Sequence, residues 1–206
     1  MSDDLAIYFA REVAWELCIE PAVLRHFAKN RQIGAADPEV GGQLFAVFEK
    51  YRVRVVHATG PRKADHRHRY AFVPNRRSEN REIKTGFGTG LHFIGDWHTH
   101  PEVAPKPSRV DLASMKDCFK KSQHSLTHFV MVIVGQQEGP SDLWVSLHDA
   151  KRCIRMQLRR SLPLDTNEVL VPRSGVASSP FARLKRALRF GATPLTDGDT
   201  HSPLRA

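Results

Sequence analysis

Residues 91–111 decide the fold: Leu91-His-Phe-Ile-Gly-Asp-Trp-His-Thr-His-Pro101, then Glu102-Val-Ala-Pro-Lys-Pro107, then Ser108-Arg-Val-Asp111. The stretch from Leu91 to Ile94 reads as a strand leading into the two histidines. Pro101 turns the chain, because proline has no N–H to give a neighbouring strand. Pro105 and Pro107 punctuate the connection. Ser108 is then a good N-cap for a helix reaching about residue 121, with Leu112, Met115 and Phe119 on its inner face. Beyond it, Phe129-Val-Met-Val-Ile-Val134 is the most continuous apolar run of the chain and predicts a central strand.

Working outward, large apolar residues at 13, 15, 17 and 19 alternate with the two-residue period of a strand. Glu20-Pro21 opens a helix with Pro21 at its first position and Val23, Leu24, Phe27 and Ala28 on one face. Residues 34–38 read as a loop. Strands follow over 41–48, entered through a glycine pair, and over 52–59. Residues 62–69 read as a solvated basic loop, 70–73 as a short strand, and 75–89 as a polar stretch with a helical turn over 77–84. Two further strands fall at 143–147 and 153–156. Strands and helices interleave throughout, which predicts an α/β or α+β layered domain over residues 13–160. Residues 163–206 differ: a linker-like stretch, a short basic amphipathic segment at 181–190, and a polar end expected to be partly disordered.

The composition supports one compact domain with an appendage: 206 residues, 41% hydrophobic and 26% charged. Three scattered cysteines (Cys18, Cys118, Cys153) argue against a disulfide framework and against a cysteine-ligated zinc, and Cys118 and Cys153 read as small core residues. No apolar run reaches the ~18–20 residues of a membrane span. Acids occupy the N-terminus where a signal peptide needs a positive region, so a soluble, cytoplasmic protein is expected. The net charge is +9, with 31 basic and 22 acidic residues. It is spread along the chain, 25 basic and 18 acidic over 1–162 against 6 and 4 over 163–206, so it forms no dedicated nucleic-acid patch and suits acidic protein partners better.

The chemistry concentrates at the strand end. His98 and His100 stand two apart, so both imidazoles point to one face. Asp111 lies on the first turn of the following helix. Together they offer the three protein ligands of a catalytic zinc, with a fourth position left for water. A carboxylate must then take a proton from that water and give one to a leaving amine. Glu39, just ahead of Val40-Gly41-Gly42, is the candidate. Trp97 alternates away from the histidines and reads as core. His66 and His68 imitate a second metal pair, but the interleaved arginines would repel a cation. His92, His124, His128 and His148 have no ligand spacing.

Glu39-Val-Gly-Gly-Gln-Leu-Phe45, Gly95-Asp-Trp-His-Thr-His-Pro101 and Ser108-Arg-Val-Asp111 together resemble the signature of the JAMM (JAB1/MPN/Mov34) metalloproteases, a Glu followed by His-x-His-Pro and Ser-x-x-Asp at fixed spacing. The resemblance covers about residues 13–158. It implies a central curved mixed sheet flanked by helices, with the metal at a strand end and a helix start. It also implies one zinc per chain on His98, His100 and Asp111, with Glu39 as general base and acid and Ser108 donating to the oxyanion. Thr99 and Glu102 depart from the DNA-repair-associated branch, and the whole tract is most similar to bacterial JAB deconjugases of integrative elements and anti-phage operons. By that resemblance the substrate is a ubiquitin-like or otherwise conjugated protein, with E1- and E2-like proteins as operon partners. The rivals are trimming of a ubiquitin-like or sulfur-carrier precursor, a non-catalytic scaffold of the same fold, which would have lost ligands, and a nucleic-acid-binding protein.

Overall fold

The computed structural model of the chain describes residues 4–163. The basic segment expected at 181–190 and the rest of the expected tail after residue 163 lie outside the described residues. Eleven strands and three α-helices follow in the order β1 (Asp4–Phe9), β2 (Glu16–Ile19), α1 (Pro21–Lys29), β3 (Gly41–Phe48), β4 (Arg52–Ala58), β5 (His66–His68), β6 (Ala71–Val73), α2 (Arg76–Gly88), β7 (His92–Thr99), α3 (Arg109–Lys121), β8 (Phe129–Val134), β9 (Leu143–His148), β10 (Cys153–Arg155) and β11 (Gln157–Pro163). Nine strands form one curved sheet in the order β10-β9-β8-β7-β3-β4-β2-β1-β11, and β5 and β6 form a separate hairpin. Pairing is antiparallel except for β2 with β4 and β7 with β8. Helix α3 makes the crossover between parallel β7 and β8, which two tight turns could not provide.

The sheet is buried on both faces in its middle. On β8, Val130, Val132 and Val134 face the α1 side, where they join Leu44, Ala46, Trp97 and Phe27 in the main core. Phe129, Met131 and Ile133 face the other side and pack with Met115 of α3. Every residue of β8 is buried, which is why its sequence is a continuous apolar run rather than an alternation. Trp97 is fully buried, its ring 5.2 Å from that of Phe27, and its Nε1 donates to the carbonyl of Thr59 at 2.8 Å. Each such ring stabilises the fold by roughly 1.5–3 kcal/mol through removal from water.

A bulge in β7 sets which way the site faces. In the pairing with β3, Leu44 opposes Gly95 and Phe45 opposes Phe93, so one extra residue sits in β7. Gly95 takes φ +146°, and a Cβ there would stand 1.9 Å from the carbonyl of Val130. Ile94 and Trp97, three apart, consequently face the same core. A regular strand would have put Trp97 opposite Ile94 and turned His98 toward α1.

Several local expectations change. The helical turn at 77–84 is a thirteen-residue helix, α2, capped by the Asn75 side chain accepting from Ser78 N at 3.0 Å. Its one buried residue is Glu79, so it shows no apolar stripe for periodicity to find. The basic loop at 62–69 contains β5, fully exposed and paired with β6. Cys153 is exposed and Cys118 half-buried, while Cys18 is the core cysteine. A strand over 4–9 was not anticipated: β1 lies between β2 and β11 and buries Ala6, Ile7 and Tyr8.

Candidate metal centre

Two chain segments arrive side by side at the end of β7. Gly41 pairs with His98 across the sheet, and Thr99 N donates to Val40 O at 2.8 Å. That pairing places Glu39 next to the histidines. The glycines allow the approach: a Cβ on Gly42 would lie 1.9 Å from Thr59 O, and one on Gly41 would lie 2.5 Å from Trp97 O. The Glu39 amide donates to His68 O of the β5–β6 hairpin at 2.8 Å, which fixes the residue from its other side.

Asp111 comes from the start of α3. Ser108 and Asp111 form a reciprocal capping box: Asp111 N donates to Ser108 Oγ at 3.1 Å, and Ser108 N donates to Asp111 Oδ2 at 2.6 Å. The two residues are therefore held as a unit at the helix N-terminus, where partial positive charge favours anions. Asp111 Oδ1 lies 3.5 Å from His98 Nε2 and Oδ2 lies 3.4 Å from His100 Nε2. Glu39, His98 and His100 each offer a ligand atom within 4.8 Å of the others. All five residues singled out in the sequence thus converge on one place.

The donor set fits a metal ion. His98 Nε2 is buried with no hydrogen-bond partner, a state that costs free energy unless something else binds the nitrogen. The two imidazole–carboxylate separations are longer than the ~2.7–2.9 Å of charge-assisted hydrogen bonds. They match instead the ~3.3–3.4 Å ligand-to-ligand edge of a tetrahedron with ligand bonds of ~2.0–2.1 Å.

The two carboxylates are pushed in opposite directions. Burial pushes the Glu39 carboxyl up, against the pull of His98 and His100. Burial would also raise Asp111, yet His100 and His98 beside it hold that carboxyl far below the usual carboxylate range. Burial disfavours charge on His100, but the Asp111 carboxylate 3.4 Å away outweighs it and raises its pKa. Four residues before His100, on β7, burial first and the charge of Glu79 second push Asp96 up to about 7.

One buried polar neighbour gave no signal in the sequence. Gln32, just beyond α1, is 1% exposed and donates to Asp37 O at 2.8 Å and Arg69 O at 2.7 Å. Nothing about a lone glutamine after a helix distinguishes it from a surface residue. A glutamine flanked by Arg31 and Ile33 carries no periodic cue.

Residues 22–146 match the family of prokaryotic homologs of the JAB domain. A CD-NTase/cGAS isopeptidase of Pseudomonas aeruginosa is 34% identical over 93 residues, 44% of this chain and 59% of that protein. One of Enterobacter hormaechei is 40% identical over 47 residues, 23% of this chain and 26% of that protein. The match thus spans less than two thirds of the length of either relative. One of Vibrio cholerae is 27% identical over 149 residues, covering 70% of this chain and 90% of its own. Among solved structures, a protein from Desulfitobacterium hafniense is similar with a TM-score of 0.48 at 15% identity, covering 66% of this chain and 87% of that one. A JAB1/MPN domain protein from Archaeoglobus fulgidus is similar with a TM-score of 0.34 at 15% identity, covering 63% and 82%. The family match contains Glu39, His98, His100, Ser108 and Asp111 and more than half of the chain, and the chain belongs to the prokaryotic JAB-domain family.

Proposed function

We propose that the protein is a zinc-dependent isopeptidase that hydrolyses the bond joining the C-terminus of a conjugated protein to an amine. The observation that carries this reading is the convergence of Glu39, His98, His100 and Asp111 around a buried, unpartnered His98 Nε2. The relatives named CD-NTase/cGAS isopeptidases point to a nucleotidyltransferase of that class as the conjugated partner. No helix among the described residues is long and apolar enough to cross a membrane.

In this reading His98, His100 and Asp111 hold the ion, and two imidazoles with one carboxylate and an open position suit zinc. Bound there, zinc would supply Lewis acidity that polarises the scissile carbonyl and lowers the pKa of water from 15.7 toward ~7. Asp111, kept ionised, is the permanent anion of the pair. Glu39, raised by burial, is suited to proton traffic: its carboxylate takes a proton from the attacking water and delivers it to the departing amine. Ser108 Oγ already accepts from Asp111 N, so its O–H remains free to donate to the oxyanion. Exposed apolar side chains stand on the bordering segments, Tyr70 and Val73 on the hairpin and Val103 and Val110 beside the helix start. They suit a protein surface rather than a small solute.

The test is intact-mass analysis after incubating the zinc-loaded chain with two substrates of one nucleotidyltransferase: an isopeptide conjugate to lysine and a linear C-terminal fusion. The expected result is release of the unmodified lysine ε-amine with an intact C-terminus. Cleavage of the fusion alone would instead indicate precursor trimming.

A further inference from the structure

Resting on the reading that Glu39 moves the proton, we propose that Gln32 is a positioning residue. Its buried amide locks the segment carrying Glu39 to the end of β7, where His98 and Thr99 lead into His100. Both Nε2 hydrogens are used, one by Asp37 O at 2.8 Å and one by Arg69 O at 2.7 Å. Asp37 lies two residues before Glu39, and Arg69 follows His68, whose carbonyl holds the Glu39 amide. On its other side Oε1 accepts from Thr99 Oγ1 at 3.4 Å. Thr99 stands between the two histidines, and its Oγ1 in turn accepts from Val40 N at 3.1 Å. Glu39 is thereby bracketed: Gln32 holds the chain before it and Thr99 holds the amide after it.

The chemistry demands an amide at this position. Two carbonyl oxygens and one hydroxyl converge on the side chain, so it must donate twice and accept once. A carboxylate would set its lone pairs against two carbonyls, and an alkyl group would leave two part-buried carbonyls without this donor and the Thr99 hydroxyl without this acceptor. Gln32 backbone O also accepts from Gln136 Nε2 at 3.4 Å, and Gln136 N donates to Glu102 O at 2.8 Å in the loop after His100. The residue thus links three of the segments that border the metal centre without touching the reacting position.

The experiment compares Gln32→Leu, Thr99→Val, Thr99→Ser and the double variant Gln32→Leu/Thr99→Val with the native full chain. It measures kcat and KM of the zinc-loaded protein on the isopeptide conjugate, zinc affinity by chelator competition, and amide hydrogen exchange at Glu39 and Val40 in the metal-free protein. Gln32→Leu and Thr99→Val are expected to lower kcat by about 10- to 100-fold, the scale of misplacing a catalytic group. KM and zinc affinity should stay within about twofold. Thr99→Ser, which keeps the hydroxyl, should recover most of the rate. The double variant should be little worse than the poorer single one, because both break one lock. Exchange at Glu39 and Val40 should quicken in Gln32→Leu and in Thr99→Val. Unchanged exchange there overturns the lock, as does a loss of kcat that Thr99→Ser shares with Thr99→Val. Failure of the native protein to cleave, or cleavage undiminished by Glu39→Gln, would defeat the underlying function instead, and the exchange measurement would still decide the lock.

Discussion

Glu39 and Asp111 are carboxylates facing the same two imidazoles, yet their surroundings divide the work between them. Asp111 is pinned by its own capping box and by two histidines, so it is poor at exchanging protons and good at holding a cation. Glu39 is held through its backbone amide, which donates to His68 O, and burial raises its carboxyl, which suits it to moving a proton. Ser108 serves twice, as helix cap and as the proposed oxyanion donor. The two roles separate on Ser108→Ala: kcat is expected to fall by about 10²- to 10³-fold, whereas loss of the cap costs only about 1 kcal/mol of stability. Steady-state kinetics with urea unfolding of the same sample checks this, and a stability loss with kcat unchanged would leave Ser108 a cap alone.

At the scale of elements, the bulge in β7 and the cap of α3 together aim three side chains at one point. Strand β9 carries a separate titratable device. His148 is buried, with Nε2 2.9 Å from Ser146 Oγ, which also accepts from Trp144 Nε1 at 3.0 Å. Burial holds His148 down at about 4, against the opposing charge of Asp149. A histidine whose folded pKa lies below its unfolded value of ~6.5 stabilises the fold above that value, and the contribution is lost as pH falls through 6.5 toward 4. The full loss is roughly 3 kcal/mol by the 1.36 kcal/mol per unit relation. Urea unfolding of the metal-free protein at pH 7 and at about pH 4 should show this drop shrinking in His148→Gln, and an unchanged pH slope would contradict it.

Elements built from local cues were legible in the sequence, and those built from distant pairing were not. The apolar run of β8, Pro21 at the start of α1 and Ser108 at the start of α3 each announce themselves within a few residues. His98, His100, Ser108 and Asp111 also stood out, because one strand end, one loop and one helical turn set their spacing, whereas Glu39, far upstream, was singled out through the resemblance of the whole pattern. Strands β1 and β11 stabilise each other across some 150 residues of chain, which no local window contains. The bulge was hidden because Gly95 looks like any strand glycine until the Val130 carbonyl packs against it. Gln32 was hidden because its value lies wholly in partners from three other segments.

For the whole molecule, the candidate metal centre lies where the sheet, α3 and the Glu39 segment meet, so an ion bound there would join parts that are far apart in sequence. Ligand binding to the native state alone stabilises it by mass action. At a hundredfold excess of zinc over its Kd, thermal unfolding is expected to shift up by roughly 5–10 °C. The shift should vanish in His98→Ala, and a shift of equal size in that variant would place the ion elsewhere.

In the proposed mechanism Glu39 moves the proton at a site whose metal is held by other residues. The most direct measurement is the isopeptide cleavage rate of Glu39→Gln purified with one zinc per chain. Full zinc occupancy is expected, with a rate lower by at least about 10²- to 10⁴-fold, the usual contribution of a positioned acid–base group. A zinc-loaded Glu39→Gln protein that cleaves at the native rate would contradict it.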